Sequence, residues 1–163
     1  MGNSSCCLRV GGRGKWLLAW MLCLPAAVCA DDVPVFFRGM NLNGPSVVID
    51  GNVWEGSESK NYVCKDKAFD NQSVALTPAT DAERAKMIRS SRYGSNRVEL
   101  TDIPPGDYTA FLYVWEDNNS EIYSIAVNGK KVQSGYNSGA AGHWEKLGPW
   151  PVSVKDDRRI VLT

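Results

Sequence analysis

Three short stretches of this sequence carry side chains able to recognise something other than a protein core. Arg92 and Tyr93 stand between serine and glycine, Glu116, Asp117 and Asn118 follow directly on an aromatic run, and Tyr62 sits in the polar stretch 57–72. A pyranose ring offers an apolar C–H face and a rim of hydroxyls. Flat aromatic rings cover the face, while Asn, Asp, Glu and Arg exchange hydrogen bonds with the rim. Tyr62 and Tyr93 are therefore candidate stacking residues for carbohydrate. Arg92, Glu116, Asp117 and Asn118 are the candidate polar contacts. Both tyrosines would serve equally well packed against the rim of a sheet.

Catalytic chemistry finds less support. A hydrolytic triad sets a base beside a nucleophile. The single histidine, His143, lies between Gly142 and Trp144, and the chain has no Gly-x-Ser-x-Gly elbow. His143 reads as a surface loop residue. Paired carboxylates for glycoside hydrolysis must face each other across a cleft. Glu116, Asp117 and Glu121 crowd a strand end instead, where solvation is the usual fate. No cluster of His and Cys suggests a transition metal. A structural calcium held by loop carboxylates stays open, without a dedicated motif. The expectation is a non-enzymatic domain without a cofactor. Asn71-Gln72-Ser73 and Asn118-Asn119-Ser120 fit the N-glycosylation pattern.

The first 30 residues have the three parts of a secretory signal: Arg9, Arg13 and Lys15 without acidic residues, an apolar run from Trp16, and the exit Val28-Cys29-Ala30 before Asp31-Asp32. The apolar run is short for a bilayer, which needs about 20 residues. Cleavage after Ala30 is expected, giving a secreted or extracytoplasmic protein with no membrane span. Its loss leaves 15 basic against 18 acidic residues. That balance argues against nucleic acid or an anionic membrane as partner, because both need a basic face. Cys6, Cys7, Cys23 and Cys29 leave with the signal. Only Cys64 remains, so no internal disulfide can form; Cys64 is a buried small hydrophobe or pairs with another chain.

The elements that must position these residues are short strands set off by turn residues. Val35 to Gly39, Ser46 to Ile49, Val53-Trp54 and Ser73 to Thr77 read as strands, with Asp50-Gly51-Asn52 as a turn. Residues 57–72 read as a long surface loop. Thr80 and Glu83 have the spacing of a capping box before a two-turn helix over Ala82 to Ile88. Asp107 to Trp115 is the strongest strand: both of its alternating faces are apolar, as expected of a central strand covered on both sides. Ile122 to Val127 and Lys131 to Gln133 flank the hairpin signal Asn128-Gly129. Val152 to Val154 and Arg159 to Leu162 are the last strands. Ser134 to Pro151 reads as a long loop over a sheet edge, with Tyr136, Trp144 and Trp150 available as a second aromatic surface. Trp54 and Trp115 read as structural. This pattern predicts one all-β domain over residues 31–163, an antiparallel β-sandwich with one short helix.

Five motifs in order resemble the malectin and malectin-like carbohydrate-binding domains: Phe37-Arg38-Gly39-Met40-Asn41 with Gly44, Asp50-Gly51-Asn52-Val53-Trp54-Glu55, Ser91-Arg92-Tyr93-Gly94, Pro105-Gly106-Asp107-Tyr108 with Leu112 and Trp115-Glu116, and Ile125-Ala126-Val127-Asn128-Gly129. The resemblance covers about residues 35–162. It implies a galactose-binding-like jelly roll that binds oligo- or polysaccharide or a glycoprotein glycan, with Tyr62 and Tyr93 at positions similar to pocket tyrosines. Two departures stand out. Asp117-Asn118-Asn119 replaces an aromatic pair of malectin, and the family's usual further strand after the counterpart of Leu162 is either supplied otherwise or missing. The alternative is a secreted structural or adaptor sandwich that binds a protein partner and no sugar.

N-terminal sequencing of material exported by a secreting host should read Asp31-Asp32-Val33. An intact Met1 would contradict the cleavage.

Overall fold

The computed structural model describes residues 35–94 and 97–163. The expected secretory signal and its cleavage point lie outside the described residues. The fold is a β-sandwich with one short helix, as the strand pattern predicts, antiparallel except where Gly39 and Met40 pair parallel with Trp54 and Glu55. Gly39–Met40 (β1), Val47–Ile49 (β2), Asn52–Glu55 (β3), Tyr62–Cys64 (β4) and Lys67–Asp70 (β5) precede the helix Ala82–Ile88 (α1). Then follow Ser90–Tyr93 (β6), Val98–Leu100 (β7), Gly106–Trp115 (β8), Ile122–Val127 (β9), Lys130–Asn137 (β10), Trp144–Val154 (β11) and Ile160–Leu162 (β12).

One layer is a five-stranded sheet in the order β10-β9-β12-β7-β4. Against it pack the β8–β11 ribbon and, through Met40, the small sheet β1-β3-β2, while β5 and β6 form a separate pair. Alternation along β8 explains the layering. Tyr108, Ala110, Leu112 and Val114 face the main core, where Ile125, Val127, Leu147, Trp150, Val152, Val154 and Ile160 are buried with Ile103. Tyr113 and Trp115 face the other way, into a second cluster of Ile49, Met87 and Ile88 with Trp54 and Trp144. The covered-on-both-sides expectation therefore describes most of β8, although Phe111 is 45% exposed. Hydrogen bonding differs: among the described residues β8 ladders only with β11, so it is central in packing and an edge in pairing.

The turns follow their residues. Asn128 and Gly129 have φ of 48° and 76°, and Asp50 and Gly51 have 52° and 75°, the positive pairs a two-residue hairpin turn requires. Gly39 has no alternative, since a Cβ there would enter the Trp54 indole. That indole meets Phe36 and Tyr113 at 6.1 and 5.7 Å between ring centroids, a structural position as expected.

Five local expectations need correction. The helix is capped by Asp81, whose carboxylate accepts the Arg84 N–H at 2.9 Å, so the cap falls one residue after Thr80. Of Val35 to Gly39 only Gly39 enters a strand, because Val35, Phe36 and Phe37 remain exposed with no partner strand. The stretch Ser73 to Thr77 forms no strand beyond a single Thr77–His143 bridge. Asn71 explains why: its side-chain oxygen accepts from the Ser73 N–H and hydroxyl, closing a local turn. The stretch 57–72 is not one loop, since β4 and β5 lie inside it. Nor is Ser134 to Pro151 a loop: β10 and β11 consume most of it, a bulge between Leu147 and Trp150 hiding the period of two.

Trp150→Ala should cost about 3–5 kcal/mol, the range for emptying a large buried side chain, read as a shift of the denaturation midpoint. Burial, and behind it the charges of Glu116, Glu121 and Glu145, push the Tyr123 phenol up to about 12. Burial raises Tyr62 and Tyr136 as well. A raised folded-state value means stability intact below pH 10 and lost between about 10 and 12. Melting temperatures across that window should fall, and Tyr123→Phe should flatten the fall.

Candidate functional site

The C-terminal end of β8 opens on a groove of about 780 Å³. Arg92 and Tyr93 of β6, Glu116, Asp117 and Asn118 after β8, and Phe69, Glu121 and Tyr123 all line it. Five of the six candidate residues thus meet in one concavity of the size usual for ligand sites.

Tyr93 is 49% exposed. Its ring stands edge-on to Phe69 at 6.0 Å, and the Lys67 ammonium lies 5.7 Å from its centroid. Phe69 in turn meets Trp115 at 6.1 Å. Phe69 and Lys67 thus hold the Tyr93 ring while about half of its surface stays exposed. Arg92 is committed to the scaffold, its Nε donating to the Leu42 carbonyl at 2.9 Å and its Nη1 to the Asp66 carbonyl at 3.2 Å.

Tyr62 does not join them. It is 8% exposed, packs with Met40 and Val98, and donates its hydroxyl to the Leu42 carbonyl at 2.8 Å. The loop reading of 57–72 put it at the surface, whereas pairing of β4 with β7 turns it inward. Burial accordingly raises its phenol well above the ordinary value. Its role is to hold Leu42, the residue that also holds Arg92, in place.

Glu116 is 7% exposed and works as a clasp. One carboxylate oxygen accepts the N–H groups of Asp117 and Asn118, both at 3.1 Å. The other accepts the Ser138 hydroxyl at 2.6 Å. Ser138 accepts the Glu121 N–H on its hydroxyl at 2.7 Å and donates its own N–H to the Glu121 carbonyl at 2.9 Å. The loop 116–121 is thereby tied to the end of β10, which leaves Asp117 half-buried and Asn118 and Glu121 exposed at the lip. The polar contacts open to a ligand are thus Asp117, Asn118 and Glu121, while the Glu116 oxygens are already engaged. The sequence carries no local sign of Ser138 in this role, because its partner lies 22 residues away. Phe69 and Tyr123 escape notice for the same reason, their places in the groove depending on sheet pairing.

The other aromatic candidates are structural. Tyr136 and Trp150 are buried in the main core, and Trp144 stacks on Tyr113 at 5.9 Å while its Nε1–H donates to the Pro78 carbonyl at 2.6 Å. They form no second aromatic surface. Cys64 is half-buried as a free thiol, its Sγ 3.6 Å from an Asp66 carboxylate oxygen. His143 is half-buried, and its backbone carbonyl accepts the Glu116 N–H at 2.9 Å.

No protein-family model and no curated protein matches the sequence. Among solved structures, the chain is similar to Bacteroides uniformis beta-glucuronidase 2 covalently bound to cyclophellitol-6-carboxylate aziridine. The TM-score is 0.60 at 13% identity, over 77% of this chain and 15% of that one. The likeness is one of fold, to a small part of a carbohydrate-active enzyme.

Ser138→Ala leaves a buried carboxylate oxygen without its donor and should cost about 1–3 kcal/mol. Faster amide exchange at Asp117 to Glu121, with the β8 core unchanged, would be the accompanying sign.

Proposed function

We propose that this is an exported, non-catalytic, malectin-like carbohydrate-binding domain whose ligand seats between Tyr93 and the 116–121 lip. The observation that carries the reading is the half-exposed Tyr93 ring lining one groove together with Asp117, Asn118 and Glu121. The ring offers a flat surface for a sugar's C–H face, and the lip offers acceptors and an amide for its hydroxyls. The groove lies at the end of a rigid two-faced strand, so its shape is set before a ligand arrives. The fold likeness to part of a carbohydrate-active enzyme agrees with a sugar-related role. A binding rather than hydrolytic role is supported by Glu116, the buried carboxylate nearest the groove, being occupied by Ser138 and two backbone amides. Glycosylation at the exposed Asn118 would obstruct this site, so the ligand-binding form is the one unmodified there.

A protein-binding adaptor is the second reading, favoured by the exposed apolar run Val35, Phe36 and Phe37, at 90%, 39% and 49%. A glycan array separates the two. Retention on specific glycans supports the sugar reading, and silence across the array at high protein concentration reverses the ranking. For a glycan so identified, Tyr93→Ala should weaken calorimetric affinity about tenfold, as expected for loss of one aromatic stacking surface. Unchanged affinity would remove Tyr93 from the site.

A further inference from the structure

A second cavity, of about 670 Å³, adjoins the groove at the end of β8, and the two share Leu42, Val98, Leu112, Tyr113 and Leu162. Along β8 the groove takes Leu112 to Trp115 and the cavity takes Asp107 to Tyr113, so they overlap at Leu112 and Tyr113. The chemistry changes at that overlap. The groove is lined by the half-exposed Tyr93 and by Asp117, Asn118, Glu121 and Ser124. The cavity is lined chiefly by apolar side chains, among them Met40, Trp54, Met87, Ile103, Phe111 and Ile160. Of its three charged residues, Asp107 and Lys146 are exposed. The third, Arg38, is engaged, its Nε on Glu55 at 3.1 Å and its Nη1 donating to the Thr101 carbonyl at 2.9 Å.

Backbone groups also open at the junction. The Glu116 N–H donates to the His143 carbonyl at 2.9 Å, and the register continues with Val114 opposite Glu145 and Leu112 opposite Leu147. By the alternation of an antiparallel ladder, the backbone groups of Tyr113 and Trp115 point away from β11. Among the described residues they have no partner there. The chain's own N-terminal side is a poor filler for the cavity. Val35, Phe36 and Phe37 line it yet remain exposed. The residues before them are Asp31-Asp32-Val33-Pro34, two carboxylates among four residues.

A molecule that fills both spaces is polar at one end and apolar at the other. We infer that the ligand is a glycolipid. Its sugar lies against Tyr93 with hydroxyls at the lip, and its unbranched alkyl or acyl chain crosses Leu42, Leu112 and Leu162 into the second cavity. The open Tyr113 and Trp115 backbone groups serve the polar linkage between the two parts. Six residue steps from Asp107 to Tyr113 span about 20 Å at strand rise, room for a long chain. Removing that chain from water supplies affinity that a sugar in a shallow groove lacks. The inference rests on the carbohydrate reading and names the class of molecule that carries the sugar.

The probes are methyl, octyl, decyl and dodecyl β-glucosides and the matching β-galactosides, measured on the full chain by calorimetry below the concentrations at which they form micelles. In the sugar series that binds, affinity should rise about tenfold for each two added methylenes. A dodecyl polyethylene glycol ether, the same chain without a sugar, should bind at least about tenfold more weakly than the dodecyl glycoside. Amide shifts should extend from Tyr93 and Asn118 to Met40 and Phe111. Phe111→Asp puts a charge into the cavity at an exposed position. It should abolish the chain-length effect while methyl glycoside binding persists, which also reports an intact fold. Equal affinity for methyl and dodecyl glycosides would overturn the inference and leave the carbohydrate reading standing; residues before Val35 filling the cavity would give the same result. Glycans retained on an array by a chain that binds no alkyl glycoside would overturn it too, as would equal affinity for dodecyl chains with and without the sugar. Silence toward both the array and the glycosides would end the two readings together.

Discussion

Everything in this domain depends on β8 being apolar on both faces. A strand with one apolar face needs one partner layer, whereas β8 must be covered twice. The five-stranded sheet takes Tyr108, Ala110, Leu112 and Val114. Helix α1 and the β2–β3 hairpin take Tyr113 and Trp115 through Met87, Ile88 and Ile49. That demand fixes the order of layers and draws Trp144 of β11 onto Tyr113. It also immobilises the strand whose end presents Glu116 to Asn118. The salt bridge from Arg84 to Asp50 then ties the helix to the hairpin turn beside it, a surface contact that adds little energy and mainly sets orientation.

The groove inherits its shape from this strand in two steps. Packing holds Trp115, Trp115 braces Phe69, and Phe69 braces Tyr93. On the other side the Glu116 carboxylate gathers two amides and a serine hydroxyl, so a loop of polar residues is held without an apolar anchor of its own. A charged acceptor with several donors is a strong clasp. It leaves the side chains of Asp117, Asn118 and Glu121 as the ones available to a ligand.

How much of this is legible in the sequence divides along a physical line. Features set by neighbours in the chain are legible: the Asn128-Gly129 turn, the two-turn helix, the alternation of β8 and the polar run after Trp115. Features set by partners far away are not. Tyr62 looks like a loop residue until β4 pairs with β7, and Ser138 looks like linker until Glu116 reaches it. Trp150 sits beyond a bulge, where the period of two that marks a strand is interrupted. Arg92 and Tyr93 stand between these cases. Their polar setting between serine and glycine was open to local reading, whereas their place on β6 and their meeting with Glu116 required the fold.

The central claim is that β8 has one bonded and one open backbone edge, buried between two layers. Amide hydrogen exchange of the free chain, resolved residue by residue, tests it directly. Leu112 and Val114 should exchange slowly and Tyr113 and Trp115 much faster, an alternation that packing alone would not produce. Uniformly slow exchange along Leu112 to Trp115 would mean that the outer edge is already paired, and would contradict it.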